Sequence, residues 1–150
     1  MSNHWTDGGI LIVDDQEAHV RLVETILRQG GFTRITTTTD PRNAAALYQR
    51  FRPDIVLLDL MMFPMNGFAV MEGLRGLIAG DEYLPIVILT ADVNPAHRHR
   101  ALGLGAKDFV TKPYDHEELV LRVRNLLETR MLFLAVQERD KAIAQLSLAV

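Results

Sequence analysis

The chain has 150 residues, 48% of them hydrophobic, which is enough to bury one core and predicts a single compact domain. Its net charge of -3 gives no electrostatic reason to expect nucleic acid or an anionic membrane as a partner. The absence of cysteine excludes disulfides and thiol chemistry, and no apolar run approaches the roughly 20 residues of a membrane span, so we expect a cytoplasmic protein.

The first part of the chain alternates short apolar runs with helical patterns. Residues 10–13 form an unbroken apolar run, typical of a strand covered on both faces. A helical pattern follows from Ala18 and stops at Gly30. The β-branched residues 35–39 predict a second strand, after which Asp40-Pro41 supplies an N-cap and a first helical position.

The same alternation continues to the end of the domain. Strands are predicted at 54–58, 85–89 and 106–111. The intervening helices are marked by an apolar face beyond Gly67 that includes Leu77 and Ile78, and by Asn94-Pro95 opening a helix that reaches about Leu104. Asp115 then caps a last helix whose inner side carries Leu119, Val123, Leu126 and Leu127. Five strands alternating with five helices predict an α/β fold, a parallel sheet with helices on both faces.

Polar residues follow four of the five predicted strands. Asp14 and Asp15 come after the first strand, Asp59 after the third, Thr90 after the fourth and Lys112 after the fifth. The carboxyl ends of parallel strands share one edge, which is where such sheets bind ligands. Three carboxylates brought together repel one another unless a cation lies among them, and Mg²⁺ prefers such oxygen ligands.

Each of these residues also has an ordinary interpretation. Asp15 could cap the first helix and Asp59 could be a turn residue. Thr90 is a common strand residue and Lys112 a common loop residue. The prediction of a site therefore depends on all of them ending successive strands of one sheet.

From about Gly9 to Leu127 the sequence resembles the response-regulator receiver family. The motifs are the acidic pair at 12–15, the segment 59–67, Leu89-Thr90-Ala91 and Lys112-Pro113-Tyr114. The resemblance implies a flavodoxin-like doubly wound sheet with strand order 2-1-3-4-5.

The resemblance also implies roles for individual residues. Asp59 would be phosphorylated, and Mg²⁺ would be held by Asp15, Asp59 and the backbone carbonyl of Met61, with Asp14 contributing through water. Lys112 and Thr90 would contact the phosphoryl oxygens.

The same resemblance implies partners and a switch. The phosphoryl donor would be a phosphohistidine on a sensor histidine kinase or a phosphotransfer protein. The chain would catalyse its own phosphorylation and dephosphorylation without being a conventional enzyme. Thr90 and Phe109 would move together on phosphorylation, and the face of helix 4, strand 5 and helix 5 would signal to an effector domain or other output partner.

Three features near the site depart from the family pattern or add to it. Phe63 stands four residues after Asp59, where receivers often have proline, and Pro64 follows one place later. Met61 occupies a position that flanks the path of attacking water in the family. Because an apolar side chain there would hinder that water, we expect slow self-dephosphorylation.

Residues 97–100, His-Arg-His-Arg, make a poor metal site because residues two apart on a helix do not face each other. A solvated face is the favoured interpretation of this run, and a partner contact is the alternative.

The apolar pattern continues beyond the last element of such a domain. It runs through Leu132, Val136, Arg139, Ile143, Leu146 and Val150, a heptad seam interrupted by Arg139. We divide the chain into a receiver at 1–128 and a helical extension at 129–150. Our preferred hypothesis is a signalling helix that links the receiver to an effector domain in a longer protein, with a homodimer as one form of that link. The alternative is a helix that folds back on its own domain.

Three rival functions share some of these features. A receiver-like docking module that is never phosphorylated would not need Asp59, Lys112 and Thr90 together. A phosphatase with an aspartyl nucleophile typically needs a second acid where Met61 stands. A flavin binder needs a phosphate-cradling loop after the first strand, where this chain has the acidic pair Asp14-Asp15 instead.

Overall fold

The structure, a computed structural model, describes residues 4–149. Its strands are β1 Ile10–Val13, β2 Ile35–Thr38, β3 Ile55–Leu58, β4 Ile86–Thr90 and β5 Asp108–Thr111. Its α-helices are α1 Glu17–Gln29, α2 Ala44–Phe51, α3 Gly67–Arg75, α4 Pro95–Gly103 and α5 His116–Ala149, and short 3-10 turns lie at His4–Asp7 and Pro41–Asn43. The strands form one parallel sheet in the order β2-β1-β3-β4-β5, which confirms the predicted fold class and strand order.

The two central strands are covered on both faces, which explains why their sequences do not alternate with polar residues. On one face, β1 and β3 pack against α2, α3 and α4 through Leu11, Val13, Val56 and Leu58. On the other face, they pack against α1 and α5 through Ile10, Ile12, Ile55 and Leu57. Each face therefore has its own hydrophobic core, and the polar strand ends are left at the edge of the sheet.

Two of the three predicted caps open the expected α-helix, and the third caps the turn before it. Asp40 accepts a hydrogen bond from the backbone N–H of Arg42 at 3.0 Å, but it caps the 3-10 turn Pro41–Asn43, and α2 begins only after Asn43. Asn94 accepts one from the N–H of Ala96 at 2.9 Å at the start of α4. Asp115 accepts from the N–H of Glu118 at 2.8 Å. Side-chain acceptors at these positions satisfy N–H groups that have no partner within the helix, which fixes where each helix begins.

Several predicted boundaries were wrong by a few residues. The helix after Gly67 ends at Arg75, so Leu77 and Ile78 lie beyond it. The starts of β3, β4 and β5 fall one or two residues later than predicted, because the ladder registers begin only at Ile55, Ile86 and Asp108.

Helix α5 is much longer than the receiver core requires. It continues without interruption for 34 residues, so the alternative of a tail folding back on its domain was wrong. Its first part buries Leu119, Val123 and Leu127 completely. The seam positions beyond them are 50% to 69% exposed, at Leu132, Val136, Ile143 and Leu146; Val150 lies outside the described residues. Among residues 4–149, no helix has the length and apolarity needed to cross a bilayer.

Candidate functional site

The polar strand ends meet at the carboxyl edge of the sheet as predicted. Asp14 and Asp59 are only 5% and 6% exposed. The Nζ of Lys112 lies 3.0 Å from Asp14 Oδ2 and 2.9 Å from Asp59 Oδ2. One ammonium therefore bridges two buried carboxylates that come from different strands.

The charge of Lys112 is stabilised by these contacts. Burial alone would lower the pKa of Lys112, but the hydrogen bonds and charges of Asp59 and Asp14 outweigh it and raise that pKa above its ordinary value. Lys112 is consequently a fixed positive charge at the site.

Asp15 does not cap α1, so the ordinary interpretation of this residue was wrong. The N-cap position belongs to Gln16, whose backbone N–H donates to Asp14 Oδ1 at 3.0 Å. Asp15 instead reaches the loop after β3, where its Oδ2 accepts from the N–H of Phe63 at 3.0 Å. Its other oxygen, Oδ1, is buried and has no hydrogen-bond partner among the described residues.

This donor set fits a hard divalent cation. A buried carboxylate oxygen without a partner is costly, and an ion that prefers oxygen ligands would satisfy it. Asp15 Oδ1 is such an atom, and it belongs to the residue that the sequence pairs with Asp14. Asp15 and Asp59, whose Oδ1 accepts from the N–H of Met61 at 3.3 Å, are the residues that could hold the ion.

The loop between β3 and α3 lies directly beside Asp59. Met61 and Phe63 are 60% and 81% exposed at its rim. Gly67, at the start of α3, leaves no room for a side chain, because a Cβ there would lie 2.3 Å from the carbonyl oxygen of Asp59. Only glycine fits at this position, so residue 67 matches the receiver motif although Phe63, earlier in the same loop, does not.

Thr90 and Phe109 border a small cavity of about 50 Å³ on the α4 side. The Thr90 hydroxyl accepts from the N–H of Asp92 at 3.1 Å. The guanidinium of Arg98 lies 4.9 Å from the centre of the Phe109 ring, within range of a cation–π contact. The two predicted switch residues are thus neighbours of one cavity, which helix α4 closes.

One histidine of α4 is engaged by the loop before the helix. His97 pairs through Nδ1 with Asp92 Oδ2, and its ring packs edge-on against Phe68. The hydrogen bond from the N–H of Asn94, and then that from His97, hold the pKa of Asp92 below its ordinary value. His97 therefore fixes the loop after β4, and the interpretation of this helix as a partner contact stays a prediction.

Sequence reasoning missed one residue of the site. His19, in the first turn of α1, places Nδ1 at 2.9 Å from Lys112 Nζ and 3.4 Å from Asp14 Oδ2. A signal for it existed, because a helix that starts directly after the acidic pair brings its first turn to the same edge of the sheet. The receiver motifs do not include position 19, so the resemblance to the family gave no reason to select His19.

A sequence model described as the response regulator receiver domain matches residues 10–124. The response regulator PleD of Caulobacter vibrioides is 38% identical over 131 residues, which are 87% of this chain and 28% of PleD. The sensory transduction protein RegX3 of Mycobacterium tuberculosis is 39% identical over 118 residues, 79% of this chain and 50% of RegX3. The chain thus spans half or less of the length of these relatives.

Solved structures show the same similarity. The chemotaxis protein CheY4 of Vibrio cholerae matches with a TM-score of 0.73 and 27% identity, over 80% of this chain and 98% of CheY4. A receiver domain of a Francisella response regulator matches with a TM-score of 0.72 and 25% identity, over 82% of this chain and 98% of that domain.

Proposed function

The chain belongs to the response regulator receiver domain family, and we propose that it accepts a phosphoryl group on Asp59. It is a receiver of the two-component type. The observation that carries the proposal is the Lys112 ammonium, which binds both buried carboxylates, Asp14 and Asp59, at the carboxyl edge of the sheet. A docking module that is never phosphorylated would not need this arrangement, and the family relationship does not favour it.

The proposed reaction uses Asp59 as the nucleophile. A carboxylate oxygen attacks phosphorus, the bond between phosphorus and the donor breaks, and an acyl phosphate forms. Because a carboxylate is a weak nucleophile, the site contributes mainly by positioning the reactants and neutralising the phosphoryl oxygens. Lys112 and the hydroxyl of Thr90 would contact those oxygens. Water later attacks phosphorus and releases inorganic phosphate, which restores Asp59.

Mg²⁺ would be held by Asp15, Asp59 and the backbone carbonyl of Met61, with Asp14 contributing through water. The ion would supply positive charge for the phosphoryl oxygens. The buried and unpartnered Oδ1 of Asp15 supports this assignment.

Phosphorylation of Asp59 would change the conformation of one face of the domain. Thr90 would turn from the N–H of Asp92 toward the phosphoryl group, and Phe109 would move into the cavity that the two residues share. The face formed by α4, β5 and α5 would then change its shape for a partner.

The partners and the division of the chain follow from the same family. A sensor histidine kinase or phosphotransfer protein would donate the phosphoryl group, and the output would be an effector domain or separate partner in the cytoplasm. We propose a receiver at 1–128 and an extension at 129–150 that links it to the output, with a homodimer as one form of the link. The seam of α5, exposed from Leu132 onward, supports an extension of this kind.

The decisive experiment is phosphorylation of the whole chain by a small acyl phosphate. With Mg²⁺ and acetyl phosphate we expect one added phosphoryl group, and borohydride reduction followed by peptide mass spectrometry should locate it on Asp59. Omitting Mg²⁺ with a chelator, or using the Asp59→Asn variant, should abolish the added mass at this position. No modification, or modification at another residue of the unaltered chain, would contradict the proposal.

A further inference from the structure

His19 contributes a third contact to the ammonium of Lys112. It lies in the first turn of α1, and its side chain is 35% exposed beside a groove lined by Leu22, Pro113 and Tyr114. Its Nδ1 is 2.9 Å from Lys112 Nζ. The two residues are separated by 93 positions in the chain, so only the fold brings them together.

The three contacts account for every hydrogen that the ammonium can donate. A lysine ammonium has three N–H bonds and no acceptor. Asp14 Oδ2, Asp59 Oδ2 and His19 Nδ1 lie at 3.0, 2.9 and 2.9 Å from Nζ. The orientation of Lys112 is therefore fixed by two carboxylates and one imidazole.

The geometry also assigns the direction of this contact. An ammonium has hydrogens to donate and no lone pair to accept with, so Lys112 is the donor. Nδ1 of His19 is then the acceptor in the contact of 2.9 Å and carries no hydrogen there.

A metal site at the same three residues is the competing interpretation. Asp14, His19 and Asp59 each offer a ligand atom, and these atoms lie within 4.8 Å of one another. The Nζ of Lys112, however, lies within 3.0 Å of all three. An ion among them would have to displace the ammonium, so we assign the three atoms to Lys112.

The imidazole differs from the carboxylates once the site is loaded. A divalent cation prefers oxygen ligands and competes with Lys112 for Asp14 and Asp59. It has little preference for an imidazole over water, so Nδ1 of His19 remains available to the ammonium. We propose that His19 is a positioning residue that keeps Lys112 directed at Asp59 during phosphoryl transfer; this inference rests on the proposed function.

Two substitutions separate the hydrogen bond from the bulk of the side chain. His19→Leu keeps an apolar side chain of similar size and removes the acceptor. His19→Asn places an amide oxygen where Nδ1 lies and should restore the contact. His116→Leu is the matched control, because His116 lines the same groove without a hydrogen bond to Lys112.

The measurement is the rate at which the whole chain gains a phosphoryl group from acetyl phosphate at saturating Mg²⁺. We expect His19→Leu to slow it by about tenfold or more, the effect of one lost hydrogen bond to a charged group. His19→Asn and His116→Leu should stay within about twofold of the parent, since the former keeps an acceptor and the latter removes no hydrogen bond to Lys112. The Kd for Mg²⁺ should be the same in all four proteins.

The outcomes separate the inference from the function on which it rests. A parent that is not modified on Asp59 overturns both. A parent that is modified while His19→Leu reacts at the same rate overturns only the role of His19, as does a slow His19→Asn variant.

Two further results bear on His19 alone. A loss of Mg²⁺ affinity in His19→Leu that matches its loss of rate would make His19 a metal ligand and overturn the inference. If His19→Leu does not fold, ¹⁵N NMR of the parent decides: we expect Nδ1 to carry no hydrogen, and a protonated Nδ1 would overturn the assignment.

Discussion

Asp14 and Asp59 are both buried, and the Lys112 ammonium offsets only part of their negative charge. Two carboxylates this close to one ammonium leave a net negative charge before any metal binds. Such a site attracts a further cation, because like charges in a buried environment raise each other's free energy. The unpartnered Oδ1 of Asp15 adds an oxygen ligand at the same edge.

Met61 places an apolar side chain where a polar one would help water to hydrolyse the acyl phosphate. Its side chain is 60% exposed at the rim of the site, two residues after the proposed acceptor Asp59. An apolar side chain there can neither orient nor donate a hydrogen bond to attacking water. We predict that Met61→Asn shortens the lifetime of the acyl phosphate several-fold, measured by the decay of the phosphorylated species in intact-protein mass spectra.

Met61→Leu is the matched control for this prediction. Leucine is also apolar and of similar volume, so the lifetime should stay close to that of the parent. An unchanged lifetime in Met61→Asn would remove the proposed role of this position.

Among the elements, α5 is bound to the receiver at a point remote from the carboxyl edge of the sheet. Arg130 is 7% exposed, and its guanidinium contacts Asp54 Oδ1 at 3.1 Å, Glu82 Oε1 at 3.0 Å and the carbonyl oxygen of Tyr83 at 2.9 Å. The second oxygen of Asp54 accepts from the N–H of Gly9. Packing of α5 on the domain therefore extends past residue 128.

We predict that Arg130→Met lowers the free energy of unfolding by about 3 kcal/mol, because it leaves the buried carboxylate of Asp54 without its counter-charge. Urea unfolding followed by circular dichroism measures this change. Arg50→Met on the exposed side of α2 is the control and should change stability by about 0.5 kcal/mol or less. Equal stabilities for the two variants would mean that the cluster contributes nothing to the fold.

On the scale of the whole molecule, the last turns of α5 are not buried against the rest of the described residues. Residues 138–149 are all exposed, although the segment contains Ile143 and Leu146. Isolated helices of this length are marginal in water, so burial against a partner would stabilise the segment considerably. A second copy packed along the same seam would cover the apolar positions, apart from Arg139.

We predict that the whole chain dimerises through this seam. Sedimentation should show a concentration-dependent dimer for the whole chain and a monomer for a chain ending at Leu134, which retains Arg130. Ile143→Asp in the full-length chain is the matched variant and should also be monomeric, because it places a charge in the seam. A monomer in all three cases would count against the dimer.

The sequence by itself determined the alternation of strands and helices, the helix caps and the acidic edge with Lys112. These features depend on periodicity and on residue types at the ends of elements, which are local properties of the chain. The resemblance to the receiver family implies the strand order, which the structure confirms. Fold class and the main site residues were therefore predictable.

Only the tertiary structure decided what each polar atom contacts. Asp15 accepts a hydrogen bond from the N–H of Phe63 and does not cap α1. His19 contacts Lys112, which lies 93 positions later in the chain, and Arg130 contacts Asp54, which lies 76 positions earlier. These partners are set by how helices pack on the two faces of the sheet, which no local pattern encodes. At the edge where Lys112 contacts Asp14 and Asp59, the charged residues were evident from the sequence, whereas the contact between His19 and Lys112 depends on the fold.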